Sequence, residues 1–227
     1  MIQSTGQIRN AFFIGIDIQI RRNCCYAVLD DTGTLIDSGW FSSAEADAVD
    51  LVKRLSGSGQ VTIGIDAPRM PLIFRRKWYW NGNRLRWEER TTQKGYGRHC
   101  EVVISAHRIA NPQWTPMKTE APEWMQLGFR LFEALEGLAT VHEVFPTASY
   151  TLLQGSTDVR IDADFSACSP GPKDMLDAWV AAATVREFEE GRGTEVGGGD
   201  DLGAIILPRP LPEPVIDEVL RWPVFKC

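Results

Sequence analysis

Apolar positions along this chain follow two rhythms. Phe12-Phe13-Ile14-Gly15-Ile16-Asp17-Ile18 and Val61-Thr62-Ile63-Gly64-Ile65-Asp66 are near-continuous apolar runs rich in β-branched residues, each carrying a carboxylate at its end. That is the signature of a strand buried on both faces of a sheet. Val141-His142-Glu143-Val144-Phe145 is a third such run with one acid inside it. Pro68 and Pro146, which lack a ladder donor, follow the second and third runs and stop them. The other rhythm is helical. Ala48, Leu51, Val52 and Leu55 recur at the spacing of one buried helix face behind Ser43, an N-cap residue, and the helix over 44–55 stops at Ser56-Gly57-Ser58-Gly59.

In chain order, strands are expected at 12–20, 24–29 and 34–41, joined by the short turns Arg21-Arg22-Asn23 and Asp30-Asp31-Thr32-Gly33. Connections this short make an antiparallel meander, whereas a helix of a dozen residues is long enough for a parallel crossover. The run at 61–65 is therefore expected to return parallel to the first strand and beside it. Asp17 and Asp66 would then stand side by side at one end of the sheet, with Glu143 brought up by the next strand. Helices follow at 122–138, where Trp124, Leu127, Leu131, Leu135 and Leu138 keep a helical period, at 147–153, and at 172–190, which opens on Pro172 and stops at Gly191. Residues 155–171 read as a loop, Gly197-Gly198-Gly199 as a flexible link into a last edge strand at 202–207, and 213–220 as a short terminal helix. The pattern predicts an α/β protein: a mixed sheet of strand order 3-2-1-4-5 flanked by helices, as one domain over 12–208 with a C-terminal tail over 209–227.

One stretch breaks the pattern. From 69 to 120 no regular period holds, and a connection of that length after the fourth strand reads as an insertion with a role of its own. Between Arg69 and Arg98 there are nine basic residues against Glu88 and Glu89, a local charge of +7, while the whole chain carries −6. Phe74, Trp78, Tyr79, Trp80, Trp87 and Tyr96 are interleaved with them, the mixture that neutralises phosphates and stacks bases. Arg75, Arg76, Lys77, Trp78, Trp80, Arg84, Arg86 and Trp87 are the candidate nucleic-acid contacts. The competing use of the same residues is a cap in which arginines lie over tryptophans and cover the sheet. A homodimer, with 69–120 folded on the partner copy, is the other assembly this segment allows. His99 and His107, just beyond it, are candidate proton shuttles.

Composition narrows the rest. At 227 residues with 44% hydrophobic residues the chain is long enough for one well-filled core. No apolar run reaches the ~20 residues that span a bilayer, and the polar first residues do not look like a signal peptide, so a cytoplasmic protein without a membrane partner is expected. Five cysteines without CxxC spacing argue against a zinc knuckle or a disulfide framework.

The acids carry the candidate chemistry. Asp174 and Asp177, three apart in the first turns of the 172–190 helix, share a face, and the alanines behind them let that helix lie close to the sheet. Clustered carboxylates need a cation to offset their repulsion, and an oxygen-only set favours Mg²⁺ or Mn²⁺. Such ions activate water and stabilise the leaving oxygen of a phosphodiester.

In their order, Gly15-Ile16-Asp17, Gly64-Ile65-Asp66-Ala67-Pro68, Glu143-Val144-Phe145-Pro146, Asp174-x-x-Asp177-Ala178 and Gly203-Ala204-Ile205-Ile206-x-Pro208 resemble the DUF429 family of predicted nucleases with an RNase H-like fold. The Asp-x-x-Asp-Ala element also resembles that of Holliday-junction resolvases of the same superfamily. The resemblance implies an RNase H-like core, a nuclease activity on nucleic acid, and a metal held by Asp17, Asp66, Asp174 and Asp177 with Glu143 beside them. Catalysis would then lie with Asp17, Asp66, Glu143 and Asp177. Two other readings share these motifs. One is a binding module that keeps the fold without catalysis. The other is an actin-like or sugar-kinase-like ATP-dependent phosphotransferase, against which stand the Arg21-Arg22-Asn23 hairpin in place of a Gly-rich loop and a chain too short for two halves.

Overall fold

The computed structural model describes residues 10–90, 96–160, 164–214 and 219–223. Three antiparallel strands open the chain: β1 (Asn10–Asp17), β2 (Cys25–Leu29) and β3 (Leu35–Trp40). Helix α1 (Ala44–Ser56) crosses over to β4 (Gly59–Asp66), which pairs parallel with β1 so that Gly15 faces Gly64 and Asp17 faces Asp66 across the ladder. The insertion contains a separate hairpin, β5 (Trp78–Asn81) and β6 (Arg86–Glu89), and a helix α2 (His99–Ala106). Then come α3 (Glu123–Leu135), β7 (Thr140–Val144), α4 (Pro146–Leu153), α5 (Pro172–Glu189), β8 (Thr194–Gly197) and β9 (Ala204–Leu207).

The main sheet has seven strands in the order β3-β2-β1-β4-β7-β9-β8. Its first five strands reproduce the expected 3-2-1-4-5 order. Two expectations fail at the far side. The strand over 202–207 is not an edge: β9 lies between β7 and β8, and the segment ending in the Gly197-Gly198-Gly199 run supplies the true edge strand, antiparallel to β9. The insertion is also more regular than its sequence suggests. Helix α2 is buried on nearly all sides, so it shows no polar face from which a helical period could be read. Half of the terminal helix expected over 213–220, residues 215–218, lies outside the described residues, as does Lys94.

The strands separate two cores. Phe12, Ile14, Ile16, Ile63 and Ile65 pack with Leu51 and Val52 of α1 and Leu131 and Leu135 of α3. On the opposite face Phe13, Val144 and Ile206 meet Ala178, Ala181, Ala182 and Val185 of α5. Gly15 and Gly64 are what allow α5 to approach. A Cβ at Gly15 would overlap the backbone carbonyl of Ala178, and one at Gly64 would press on Val185 and the carbonyl of Ala181. The alanine stripe and the two glycines are thus one packing device, and it fixes the first turns of α5 over the ends of β1 and β4.

Candidate active site

Side chains alternate across a strand, so Asp17, two residues past Gly15, and Asp66, two past Gly64, fall on the α5 face at the carboxyl ends of neighbouring parallel strands. Open α/β sheets bind ligands at this end. Glu143 is different. It pairs in register with Ile65, one residue short of Asp66, and so takes the opposite face. All three acids nevertheless line one cavity of about 260 Å³ at the sheet end, together with Gln19, Pro68, Arg98, Pro112, Gln113, Trp124 and Phe145.

The acids differ most in their partners. Glu143, 4% exposed, receives both arms of the Arg98 guanidinium, with Nη1 2.7 Å from Oε2, and the backbone N–H of Arg69 at 2.8 Å. Arg98 is itself 1% exposed and binds Glu101 through Nε at 3.1 Å, while Glu101 also receives the Thr115 N–H and hydroxyl. Burial raises the Glu143 pKa above the usual carboxylate range and Arg98 pulls against it. Nothing distinguishes Arg98 within a run of basic residues, and an ion pair spanning 45 positions leaves no local signal.

Asp17 is 4% exposed and, among the described residues, has one donor, the Gln19 side-chain amide at 2.7 Å. Burial pushes its pKa up to about 7; the Gln19 hydrogen bond opposes this, and Asp177 and Asp174 add to it. Among the described residues no hydrogen bond or ion pair is made by the Asp66 carboxylate. Its pKa stands well above the ordinary value through burial first, then through the charges of Asp17 and Asp177, with Lys173 pulling the other way.

The two helix acids face this pair with their own partners. Asp177 accepts the Tyr150 hydroxyl at 2.6 Å and the Lys173 ammonium at 2.6 and 2.8 Å. Asp174 forms an ion pair with Arg22 Nε at 2.6 Å. The Lys173–Asp177 pair, four apart on a helix, is legible in the sequence; Arg22 and Tyr150 are brought in by the fold.

As a donor set these residues suit a hard divalent cation only in part. Asp17 and Asp66 are adjacent, oxygen-only and short of counter-charge. Among the described residues, however, no three His, Cys, Asp or Glu side chains are grouped as a metal ion needs. Asp174 and Asp177, expected as ligands, are held by Arg22, Lys173 and Tyr150. A cation on Asp17 and Asp66 would take its remaining oxygens from water and from a bound phosphate, as Mg²⁺ commonly does.

The insertion departs from its expected role at its centre. Arg76, 6% exposed, pairs with Asp200 and lies 4.3 Å from the Trp222 ring centroid, and Trp80, 8% exposed, is stacked edge-on against Trp87. Neither faces solvent, because the cluster of Trp80, Val102, Ala106 and Val219 needs their apolar surfaces. Trp78 is half-buried in the same hairpin. Arg75 pairs with Glu120, Lys77 with Glu89, and Arg84 and Arg86 with Glu88, all with exposed guanidinium or ammonium groups. His99 is turned away from the cavity: its Nδ1 accepts from the Gly199 N–H, so Nε2 carries the proton donated to the Val219 carbonyl. His107 caps the end of α2 and does not line the cavity either.

No helix of the described residues is long and apolar enough to cross a membrane. Compared with known protein families, curated proteins and solved structures, the chain has no match.

Proposed function

We propose that this chain is an RNase H-like, divalent-metal-dependent phosphodiesterase acting on nucleic acid or its units, in keeping with its resemblance to the DUF429 family. One observation carries the reading: Asp17 and Asp66 stand in register at the carboxyl ends of adjacent parallel strands, on a cavity, and among the described residues neither forms an ion pair. A carboxylate pair of this kind is costly to the fold unless something positive joins it. Mg²⁺ or Mn²⁺ held there would polarise a phosphodiester and lower the pKa of a bound water. The chain's own parts have separable tasks. Gln19 fixes one oxygen of Asp17 by its amide. Lys173, 72% exposed and tied to Asp177, is free to exchange that partner for a phosphate oxygen. Arg98 gives Glu143 a counter-charge from within the protein and opposes the effect of its burial.

The test is a calorimetric Mn²⁺ titration alongside hydrolysis of bis(p-nitrophenyl) phosphate. Wild type is expected to bind and to hydrolyse. The Asp17→Asn/Asp66→Asn double variant is expected to lose binding and at least about 100-fold in rate, since even residues that merely support a metal ligand cost 10–100-fold. An unchanged rate in the double variant sinks the reading. The alternative of a catalytically inactive binding module is favoured by one observation, the commitment of Asp177 to Lys173 and Tyr150, and wild type that neither binds Mn²⁺ nor hydrolyses would decide for it.

A further inference from the structure

The size and lining of the cavity bear on which phosphodiester could reach Asp17 and Asp66. At about 260 Å³ the space is below the roughly 300–1,000 Å³ of drug-sized ligand sites, and it holds a single small unit. Its lining is of two chemical kinds. The carboxylates and Gln19 supply polar walls, whereas Trp124, Phe145 and Pro112 supply flat and apolar ones, and Gln113 in the same lining is exposed. Trp124 is supplied by the first turn of α3, half-buried against Met125 and Phe129 and thus held in place rather than swinging.

The charge distribution points the same way. A duplex is gripped through many phosphates at once, and its binding requires cations available along a surface. Each of the eight described cations between Arg69 and Arg98 already has a partner within the protein, which a duplex would have to displace one by one. Arg69 donates to the Val141 carbonyl, Arg90 lies over Tyr79, Arg76 and Arg98 are buried in ion pairs, and the other four pair with Glu88, Glu89 or Glu120. A base still inside a duplex would also have to be extruded to enter a pocket this small.

We propose, on the footing of the hydrolytic reading above, that the cavity accepts one nucleotide unit, its base stacked on Trp124 and its phosphate ester set against Asp17 and Asp66. The substrate is then a small nucleotide diester or the terminal nucleotide of a single strand, not the interior of a duplex. In the reaction a water oxygen adds to phosphorus as the ester P–O bond to the leaving group breaks. The leaving oxygen takes up the proton the water loses, giving a phosphomonoester and an alcohol with no oxidant or reductant.

Two measurements on the full chain test this. In the first, thymidine 5′-monophosphate is titrated calorimetrically in the presence of Mn²⁺ into wild type, Trp124→Leu and Trp124→Phe, with thermal melting of each as a folding control. Leucine keeps apolar volume without a π-face, so a loss of at least about 5-fold in affinity is expected, restored by phenylalanine, the low end of what one base–aromatic stack contributes. Equal affinity in all three overturns the placement of the base. In the second, thymidine 5′-p-nitrophenyl phosphate, an end-labelled single strand and a supercoiled plasmid are offered with Mn²⁺. Turnover of the small diester alone identifies a free nucleotide substrate, and mononucleotide release from the strand identifies a strand end. Internal nicking of the plasmid at a rate untouched by Trp124→Leu overturns this inference and leaves the hydrolytic reading intact. No hydrolysis of any substrate, bis(p-nitrophenyl) phosphate included, removes both.

Discussion

Asp66 and Glu143 end adjacent parallel strands one register step apart and line the same cavity, yet the molecule treats them in opposite ways. Glu143 is enclosed by Arg98, which is shared with Glu101 and through it with Thr115, so that three segments of the chain meet in one closed polar network. Among the described residues Asp66 has no hydrogen-bond or ion-pair partner, and its neighbour Asp17 has only an amide. The lesson is that acids at a sheet edge are not one category. A carboxylate closed by a buried guanidinium belongs to the fold, and two carboxylates left to repel one another are held ready for something outside it.

The sharpest way to break this contrast is to remove Arg98. Arg98→Met keeps most of the side-chain volume but leaves Glu101 and Glu143 buried without a counter-charge, and breaking a buried pair in this way costs roughly 3–5 kcal/mol. Equilibrium unfolding in urea should show that loss at neutral pH, with part of it recovered in Arg98→Met/Glu143→Gln. A change within about 1 kcal/mol for Arg98→Met would mean that water reaches the two carboxylates and that the closed network is not structural.

This network also marks where sequence reading stops. The Gly-Ile-Asp repeats were legible because a strand has a period of two and a crossover helix has a minimum length; those rules place Asp17 beside Asp66 without any side-chain detail. The helix with Asp174 and Asp177 was legible from Pro172, Gly191 and the alanine stripe. The same period of two, applied across the register of β7, puts Glu143 on the other face, but register is set by three-dimensional pairing and is invisible in one chain read alone. Helix α2 escaped because Cys100, Val102, Val103, Ile104 and Ala106 are buried on every side and leave no amphipathic stripe. The roles of Arg76 and Arg98 escaped because composition counts a buried arginine and a solvent-facing one alike.

A smaller effect sharpens the comparison from the other side. Asp17 titrates near pH 7 in the folded protein against 3.8 ordinarily, raised by burial and by Asp177 and Asp174 of α5, and lowered by Gln19 and by Lys173. Between about pH 4 and 7 the folded state therefore holds more protons than the unfolded one, and stability falls as pH rises through that window. The penalty is complete above pH 7 and absent below about pH 4. Asp17→Asn should accordingly melt higher than wild type at pH 8 in the absence of divalent metal, by the equivalent of about 2 kcal/mol once cavity water is allowed for, and match it near pH 4. Added Mn²⁺ should narrow the gap by raising wild type alone. A melting difference independent of pH would show that Asp17 is stabilised by contacts rather than left short of charge.

The smallest effect is expected at Arg75, whose contrast with its neighbour repeats that of the acids. Arg76 is enclosed by Asp200 and Trp222, whereas the Arg75 side chain is 54% exposed and pairs with Glu120 at the surface. A solvent-exposed pair contributes little to folding because water and salt screen it. Arg75→Ala should leave the melting temperature within about 1 °C of wild type. It should also leave the affinity for thymidine 5′-monophosphate unchanged, since Arg75 does not line the cavity. The informative departure is a variant that melts normally but binds a single-stranded oligonucleotide more weakly and with a shallower salt dependence. Arg75 would then be releasing Glu120 to take a phosphate. Arg84 and Arg86, exposed and paired with Glu88 in the same way, would then be the next positions at which to look for the same exchange.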